Sequence, residues 1–248
     1  MRRILWYIIV AAGLLAAAGA AFYLRQLYLP EPVEVEVYRQ VVLSFDFSGP
    51  DPLADWEEKS LARKRTEYSV DEIDGRMALK AVSEGSCSAM YFRERLSFRE
   101  RPYVKWDWSV ARFPEREGEE TLESRDEFDF AAHFYVLFFS RFIMNTRAIQ
   151  YVWAESLPEG TTGVNPYAGN LRVKVLRSGG AGEWHSEERD IAADHLELFG
   201  TELDRDIVAI AFMSDSDNTE SSTEAYVTNI EMGYLFFPEE PETENGTE

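Results

Sequence analysis

Apolar and polar residues alternate with a period of two along most of the middle of the chain, and this pattern constrains the fold more than any other feature. The clearest run is Tyr103–Val110, in which Val104, Trp106, Trp108 and Val110 fall on one face. Successive side chains of a β-strand point to opposite faces of its sheet. The run therefore predicts a strand with its apolar face, including both tryptophans, against a core.

Similar patterns recur throughout the central two hundred residues, separated by turn signals such as Asp74-Gly75 and Asn165-Pro166. One short helix is predicted over Ala192–Phe199, with Gly200 closing it. About ten strands and one helix predict an all-β fold, in which two antiparallel sheets pack as a sandwich or jelly roll. The other predicted strands are 41–47, 64–70, 76–82, 88–96, 130–139, 147–154, 171–175, 184–191, 206–213 and 224–236.

The first thirty residues are expected to direct export. Arg2 and Arg3 precede an uncharged stretch, Ile4–Leu24, whose 21 residues would form a helix long enough to cross a bilayer. Two interpretations remain open. The stretch is either a permanent transmembrane anchor or a signal peptide cleaved within its small-residue run 16–21. Both place the rest of the chain in the periplasm or outside the cell.

Composition and charge divide residues 31–248 into three segments and argue against several functions. Residues 31–40 are predicted to form a stalk, although the alternation of Val and Glu over 33–37 also fits a first edge strand. Residues 41–237 are predicted to form one sandwich domain, and 238–248 an acidic tail without fixed structure. The net charge of -20 argues against nucleic acid as a partner, because phosphate would be repelled. The single cysteine, Cys87, rules out an intramolecular disulfide and a zinc site built on cysteines.

Three groups of residues stand out by their order and spacing: Tyr151–Ala154 with Pro158, Gly160 and 165–167; Trp184, 188–191, Asp194 and 199–200; and 210–211, 215–219 and 225–226. Together they resemble the bacterial domain-of-unknown-function 3047 family over about residues 43–232. The resemblance implies a small secreted or membrane-anchored protein and carries no established activity. The family pattern has an Asp-Asp pair leading the central strand and an Arg within it. Phe128-Asp129 and His133 stand there in this chain, so a site formed at those positions in the family would be altered.

The loop 215–220 gathers several oxygen-bearing side chains directly after a predicted strand. Asp215 and Asp217 are two residues apart and could both face one hard cation, so calcium is a candidate there. The loop lacks the glycine and the distant glutamate of a helix–loop–helix calcium site. Two alternatives are a loop whose side chains bond its own backbone, and a loop that binds a ligand.

Aromatic side chains near predicted strand ends favour a binding module for a carbohydrate or another cell-envelope component, rather than an enzyme. Flat rings can stack on sugar faces while neighbouring polar groups bind the hydroxyls. Arg189 is predicted to form an ion pair, with the Asp215 loop as one candidate partner. The predicted ligand-binding residues are Trp153, Asn165, Tyr167, Arg189, Asp215, Asp217 and Asn218.

Two other functions stay open. A polysaccharide hydrolase or lyase could use Asp129, Glu188 or Asp190, and it would need two carboxylates about 5–10 Å apart across a cleft. No Gly-x-Ser-x-Gly motif occurs, and no catalytic residue is assigned. An envelope scaffold protein would instead show a large exposed apolar patch and no concave pocket.

Overall fold

The computed structural model describes residues 37–142 and 145–237, which form thirteen strands and one helix. Residues 1–30 and 238–248, for which an export segment and an acidic tail are predicted, lie outside the described residues. Within the described ranges, no helix combines the length and the apolar character needed to span a bilayer. The elements are β1 (Tyr38–Phe45), β2 (Trp56–Ser60), β3 (Glu67–Ile73), β4 (Arg76–Glu84), β5 (Cys87–Phe92), β6 (Pro102–Arg112), β7 (Ala132–Phe138), β8 (Ala148–Ala154), β9 (Thr162–Val164), β10 (Leu171–Ser178), β11 (Trp184–Asp190), α1 (Ile191–Phe199), β12 (Ile207–Asp215) and β13 (Ser222–Phe236).

The strands form two sheets that pack face to face, which confirms the predicted all-β two-sheet sandwich with one helix. The six-stranded sheet has the order β11-β6-β13-β4-β3, and β1 pairs with the second half of β13. The seven-stranded sheet has the order β2-β5-β12-β7-β8-β10-β9. The consecutive elements β6 and β7 lie in different sheets, so the chain crosses the sandwich between them.

Three details differ from the predicted strands. β8 and β10 pair in parallel, because the connection between them carries the chain back to the same end of the sheet, so the sheet is not wholly antiparallel. The short strand β9 lies in that connection and was not predicted. β2 was not predicted either, because only Trp56 of its five residues is buried and the other four show no apolar alternation.

Large aromatic side chains fill the space between the sheets. Trp106 of β6 stacks on Phe134 of β7, with ring centroids 4.1 Å apart and planes at 4°. Trp108 contacts Trp153 of β8 at 5.5 Å. All four rings are buried, which confirms that Trp106 and Trp108 belong to the core.

The predicted helix is present and begins one residue earlier, at Ile191. The Asp190 side chain accepts a hydrogen bond from the backbone N–H of Ala193 at 3.1 Å and so caps the first turn. Gly200 adopts φ 70°, and its N–H donates to the carbonyl of Leu196, which closes the last turn as predicted.

The acidic stretch 115–129 is anchored to the domain at a few buried residues, while others in it, such as Glu115, Glu117 and Glu123, are exposed. Glu120 is buried and its carboxylate accepts the backbone N–H groups of residues 155, 156 and 157 at 2.7–3.0 Å. The Arg116 guanidinium donates to the carbonyl oxygens of Glu127 and Asp129. These bonds fix the segment that leads into β7 and hold Phe128 beside the outer face of the seven-stranded sheet.

Replacing Phe134 tests the contact between the sheets. Phe134→Ala should lower the free energy of unfolding by about 3–5 kcal/mol, because it removes a fully buried ring and leaves a cavity against Trp106. Denaturant unfolding of the full chain measures the change. Phe142→Ala is the matched control, since that ring is 65% exposed, and it should change stability by about 0.5 kcal/mol or less. Equal effects of the two variants would contradict this account of the core.

Candidate functional site

A groove of about 910 Å³ runs along the outer face of the seven-stranded sheet. The inner-face residues of its strands, such as Met90, Phe134 and Phe212, pack into the core between the sheets. Every second residue therefore points the other way, toward the groove. Several of these outward residues are alanines, and their small side chains leave the space that forms the groove. Its floor consists of Cys87, Ala89 and Tyr91 of β5, Ala209, Ala211, Met213 and Asp215 of β12, and Tyr135 and Leu137 of β7.

The two long walls of the groove come from opposite edges of the sheet. Lys59 and Leu61, at the end of β2, line one side, and the loop 165–171 between β9 and β10 lines the other. Tyr167 stands on that loop with 51% of its surface exposed. The Arg125 guanidinium lies 4.9 Å from the Tyr167 ring centroid, so the ring is held by a cation–π contact while it borders the groove.

The two loops that the sequence singled out meet at one end of the groove. The Tyr167 hydroxyl donates a hydrogen bond to Asn218 Oδ1. Asn165, Asp215 and Asp217 line the same end. The structure therefore brings together Asn165, Tyr167 and the 215–218 loop, as the predicted ligand-binding surface requires.

Asp129 holds the 216–219 loop in place from beneath. Its buried carboxylate accepts Asn218 Nδ2 at 2.6 Å through Oδ1, and the N–H and hydroxyl of Thr219, both at 2.7 Å, through Oδ2. Four polar partners in all, including the Asn218 N–H, satisfy this carboxylate. Asp129 is therefore a structural anchor of the loop and not an acid facing a ligand.

A continuous chain of hydrogen bonds links Asp215 to the Asn165 loop across the outer face of the sheet. Asp215 Oδ1 accepts the Phe130 N–H at 2.9 Å and contacts His133 Nε2 at 2.7 Å. His133 Nδ1 lies 2.7 Å from Gln150 Nε2, and Gln150 Oε1 accepts Asn165 Nδ2 at 2.8 Å. His133, Gln150 and Asp215 are all buried, so every bond in the chain lies away from water.

The direction of each bond in this chain is fixed at its Asn165 end. Asn165 Oδ1 accepts the backbone N–H groups of Tyr167 at 2.8 Å and Ala168 at 3.2 Å, and a backbone N–H can only donate. The Asn165 amide nitrogen must then donate to Gln150, whose own amide nitrogen faces His133 Nδ1. His133 Nδ1 therefore accepts, and the imidazole carries its proton on Nε2 and donates it to Asp215.

Negative charge accumulates at this end of the groove. Burial raises the pKa of Asp217, and the nearby carboxylates of Asp215 and Asp129 raise it further. Burial also raises the pKa of Asp215, and the neighbouring His133 offsets part of that effect. Among the described residues, no other residue donates a hydrogen bond to the Asp217 carboxylate or forms an ion pair with it, and a hydrogen bond from its own backbone N–H lowers the pKa in part.

Among the described residues, Cys87, Asp215 and Asp217 form the one group of three metal-ligating side chains with ligand atoms within 4.8 Å of one another. Calcium takes six to eight oxygen ligands, so it would obtain only two carboxylates from this set. Burial and the three surrounding aspartates raise the pKa of the Cys87 thiol, which keeps it protonated rather than a thiolate ligand. The calcium site at Asp215 and Asp217 stays a prediction.

Two residues predicted for the ligand surface lie elsewhere. Trp153 is 1% exposed, because in β8 it shares the inward face with Tyr151, and its Nε1 donates to the Gly179 carbonyl at 2.6 Å. Arg189 forms a two-bond ion pair with Asp194 of α1 at 2.8 and 2.5 Å. The predicted ion pair of Arg189 is present, but the suggested partner, the Asp215 loop, is wrong because α1 follows β11 directly and supplies the nearer carboxylate.

Glu188 and Asp190, which the hydrolase interpretation used, also lie away from the groove. Both belong to β11, at the edge of the six-stranded sheet. Glu188 pairs with Arg39 at 2.8 Å, and Asp190 pairs with Arg101 while it caps α1. Each carboxylate therefore has a structural partner.

Sequence reasoning missed Tyr91 and Tyr135, which line the groove, and Gln150, which is buried beneath it in the hydrogen-bond chain. Gln150 lies in β8, where all seven residues are buried, so no alternation marks which face it occupies. The signal that could have located the floor is the spacing of alanines 209 and 211, since two small residues on one face of a strand leave room above the sheet.

Comparison with known proteins gives a family and several solved structures of similar fold. The family described as "Protein of unknown function (DUF3047)" matches residues 54–231. The chain belongs to this family. No curated protein matches the sequence of this DUF3047 protein.

Three similar solved structures are a carbohydrate-binding module, a cellulose-induced protein and an endoglucanase. The family 11 carbohydrate-binding module of cellulase Lic26A-Cel5E from Clostridium thermocellum has 10% identity and a TM-score of 0.41, covering 80% of the DUF3047 chain and 95% of the module. Cellulose induced protein Cip1 has 8% identity and a TM-score of 0.43, and the match covers 77% of the DUF3047 chain and 96% of Cip1. Endoglucanase cel12A from Rhodothermus marinus has 9% identity and a TM-score of 0.42, and the match covers 82% of the DUF3047 chain and 99% of the endoglucanase.

The hydrogen-bond chain predicts opposite tautomers for two buried histidines of the DUF3047 protein. His133 should carry its proton on Nε2, whereas His195 should carry it on Nδ1, which donates to the Thr201 carbonyl at 2.9 Å. Burial lowers the pKa of His195 and so favours its neutral form. Long-range ¹H–¹⁵N NMR of the full chain distinguishes the two tautomers, with each histidine serving as control for the other. A proton on His133 Nδ1 would mean that the Gln150 and Asn165 amides point the other way.

The raised pKa of Asp217 predicts a pH-dependent stability difference. The folded state holds this proton more tightly than the unfolded state, so ionisation of Asp217 lowers stability as pH rises through its raised folded pKa. Asp217→Asn should therefore unfold at higher denaturant than the wild type at pH 7, and at the same denaturant in strong acid. Asp55→Asn, at an exposed site, is the control and should show no pH-dependent gain. An Asp217→Asn variant less stable at pH 7 would overturn the assignment.

Proposed function

We propose that this DUF3047 protein is an exported, non-enzymatic module that binds a glycan of the cell envelope in the groove of the seven-stranded sheet. The observation that carries the proposal is the meeting of the Tyr167 loop with the Asp217–Asn218 loop at one end of the open groove. A concave site with an apolar lining and a few converging polar groups is the usual form of a small-molecule site.

The groove matches the two chemical faces of a sugar ring. The C–H faces of a pyranose are weakly apolar and pack on aromatic or small aliphatic side chains. The groove offers Tyr91, Tyr135 and Tyr167 for such contacts, over a floor of alanines. Sugar hydroxyls need hydrogen-bond acceptors and donors, which Asp217 and Asn218 provide at one end.

The opposite end of the groove has different chemistry. Arg93, Thr146 and Asn170 line it, so a long ligand would meet donors there and acceptors at the Asp217 end. This polarity along the strands would fix the direction in which a chain of sugars lies. An extended ligand therefore suits the groove better than a single sugar.

The location of the protein is part of the proposal. Residues 4–24 would either hold the domain at the membrane or be removed during export to the periplasm. Of the predicted stalk 31–40, residues 38–40 belong to β1 of the sandwich, so residues 31–37 would form the connection to this segment. We take the sandwich to be of the jelly-roll type. Both routes place the groove where envelope glycans are.

Filling the groove should abolish binding. In Ala211→Phe, a ring on the floor of the groove would occupy the space of the ligand without entering the core between the sheets. The affinity for a glycan found with an array of envelope glycans should fall at least about tenfold by isothermal titration. Tyr167→Ala should weaken the same ligand by loss of its stacking contact.

Ala181→Phe is the matched control, because Ala181 is exposed in the turn between β10 and β11 and does not line the groove. Its affinity should equal that of the wild type. The proposal fails if the folded full chain binds no glycan of the array, or if Ala211→Phe binds as tightly as Ala181→Phe.

One observation favours a second candidate, a polysaccharide hydrolase. The Asp215 and Asp217 carboxylates each place an oxygen within 4.8 Å of the other, close to the separation of about 5 Å found in retaining glycosidases. Binding is the better-supported function because Asp215 Oδ1 is engaged by Phe130 and His133. Release of reducing ends from a bound glycan, lost in Asp217→Asn, would favour the hydrolase instead.

A further inference from the structure

Two phenylalanine rings are exposed at the end of the sandwich opposite the Asp217 loop. Phe139 and Phe142, on the turn that follows β7, have 51% and 65% of their surface exposed. The turn is ordered locally, since the Ser140 hydroxyl donates to the Phe142 carbonyl at 2.8 Å. We call residues 139–142 the phenylalanine turn. Exposed apolar surface that is rimmed by polar residues marks interaction sites, whereas single scattered apolar residues are normal on a protein surface.

Backbone pairing brings two other segments beside the phenylalanine turn. The Phe139 N–H donates to the Asp206 carbonyl at 2.8 Å, and Leu96 forms an isolated bridge with Ile207. The guanidinium of Arg95 lies 5.8 Å from the Phe139 ring centroid and pairs with Asp206 at 2.6 Å. Segments 93–99 and 204–206 therefore border the turn.

This end of the molecule has a local charge opposite to that of the chain. Segments 93–99, 139–142 with 145–147, and 204–206 contain six arginines and three acids, in a chain whose net charge is -20. Three of these arginines are ion-paired: Arg95 with Asp206, Arg205 with Asp204, and Arg93 with Glu57 of the neighbouring strand β2. Arg141 is exposed between the two phenylalanines, and no ion pair or hydrogen bond within the described residues engages its side chain. The arginines are Arg93, Arg95, Arg99, Arg141, Arg147 and Arg205.

We propose that the phenylalanine turn and its arginines dock on an anionic lipid bilayer. Aromatic rings beside basic side chains are the composition of interfacial membrane contacts, in which the rings enter the headgroup region and the cations meet lipid phosphates. The complementarity is specific to this end, because the excess of acids elsewhere on the chain would be repelled by the same surface. The proposal does not depend on glycan binding in the groove.

The full chain, reconstituted into vesicles, provides the test. A fluorophore sensitive to polarity is attached at Asn145→Cys, beside the turn, while the native Cys87 is buried. Its emission should shift to the blue in vesicles that contain phosphatidylglycerol, but not in vesicles of phosphatidylcholine alone. The shift should weaken at high salt. Comparing the two vesicle types removes any contribution of the predicted anchor, which is the same in both.

Substitutions of the arginine and of a phenylalanine of the turn test which side chains contact the bilayer. Arg141→Gln should lower the ratio of docked to undocked chains about fivefold, the effect of one basic residue near an anionic surface. Phe142→Ser should lower it as well. Arg63→Gln is the control, since Arg63 is an exposed arginine near the Cys87 end of β5, and it should leave the ratio unchanged.

Two results would overturn the proposal. One is an emission spectrum that is the same in both vesicle types, or unaffected by Arg141→Gln. The other is a shift that follows the density of protein in the vesicles and not their lipid charge, which would assign the surface to contact between copies of the chain. Retained glycan binding in Phe142→Ser would show that loss of docking is independent of the groove.

Discussion

The packing of Phe134 on Trp106 decides the orientation of the seven-stranded sheet, and the groove follows from it. Because strand side chains alternate, placing Phe134 in the core turns its neighbours His133 and Tyr135 outward. The antiparallel partner β12 obeys the same rule, with Phe212 inward and Met213 outward. A slip of one residue in either strand would bury the polar groups of the groove between the sheets. The site is therefore a consequence of the core.

The sequence predicted the strands best where one face is apolar and the other polar. Tyr103–Val110 was located within two residues of β6, and Gly200 ended the helix as expected. The edge strand β2 could not be found in this way, because pairing with β5 and not burial holds its charged residues in the sheet. The parallel pairing of β8 with β10 depends on the path of the connection, which local pattern does not encode.

The predicted site residues lie together where they come from loops and lie elsewhere where they come from buried strands, and binding by them stays a prediction. Asn165, Tyr167, Asp215, Asp217 and Asn218 were singled out from loop chemistry, and they lie at one end of the groove. Trp153 was misplaced because β8 is covered on both faces, so its sequence shows no period that tells inward from outward. For the same reason the sequence does not show which face Gln150 occupies. Its hydrogen bonds are to His133 and Asn165, which only the fold brings beside it.

The polar groups of the groove divide by whether their hydrogen bonds are complete. The carboxylate of Asp129 has four donors and holds a loop, so it is saturated as a structural group. In the series of hydrogen bonds from Asn165 to Asp215, each donor likewise has an acceptor. These bonds tie the two loops to the sheet and so pre-organise the end of the groove. Asp217 is the exception: its carboxylate is partly buried, is repelled by two other carboxylates, and has no donor among the described residues apart from its own backbone N–H. Keeping such a group costs stability, and a ligand that donates to it would remove that cost.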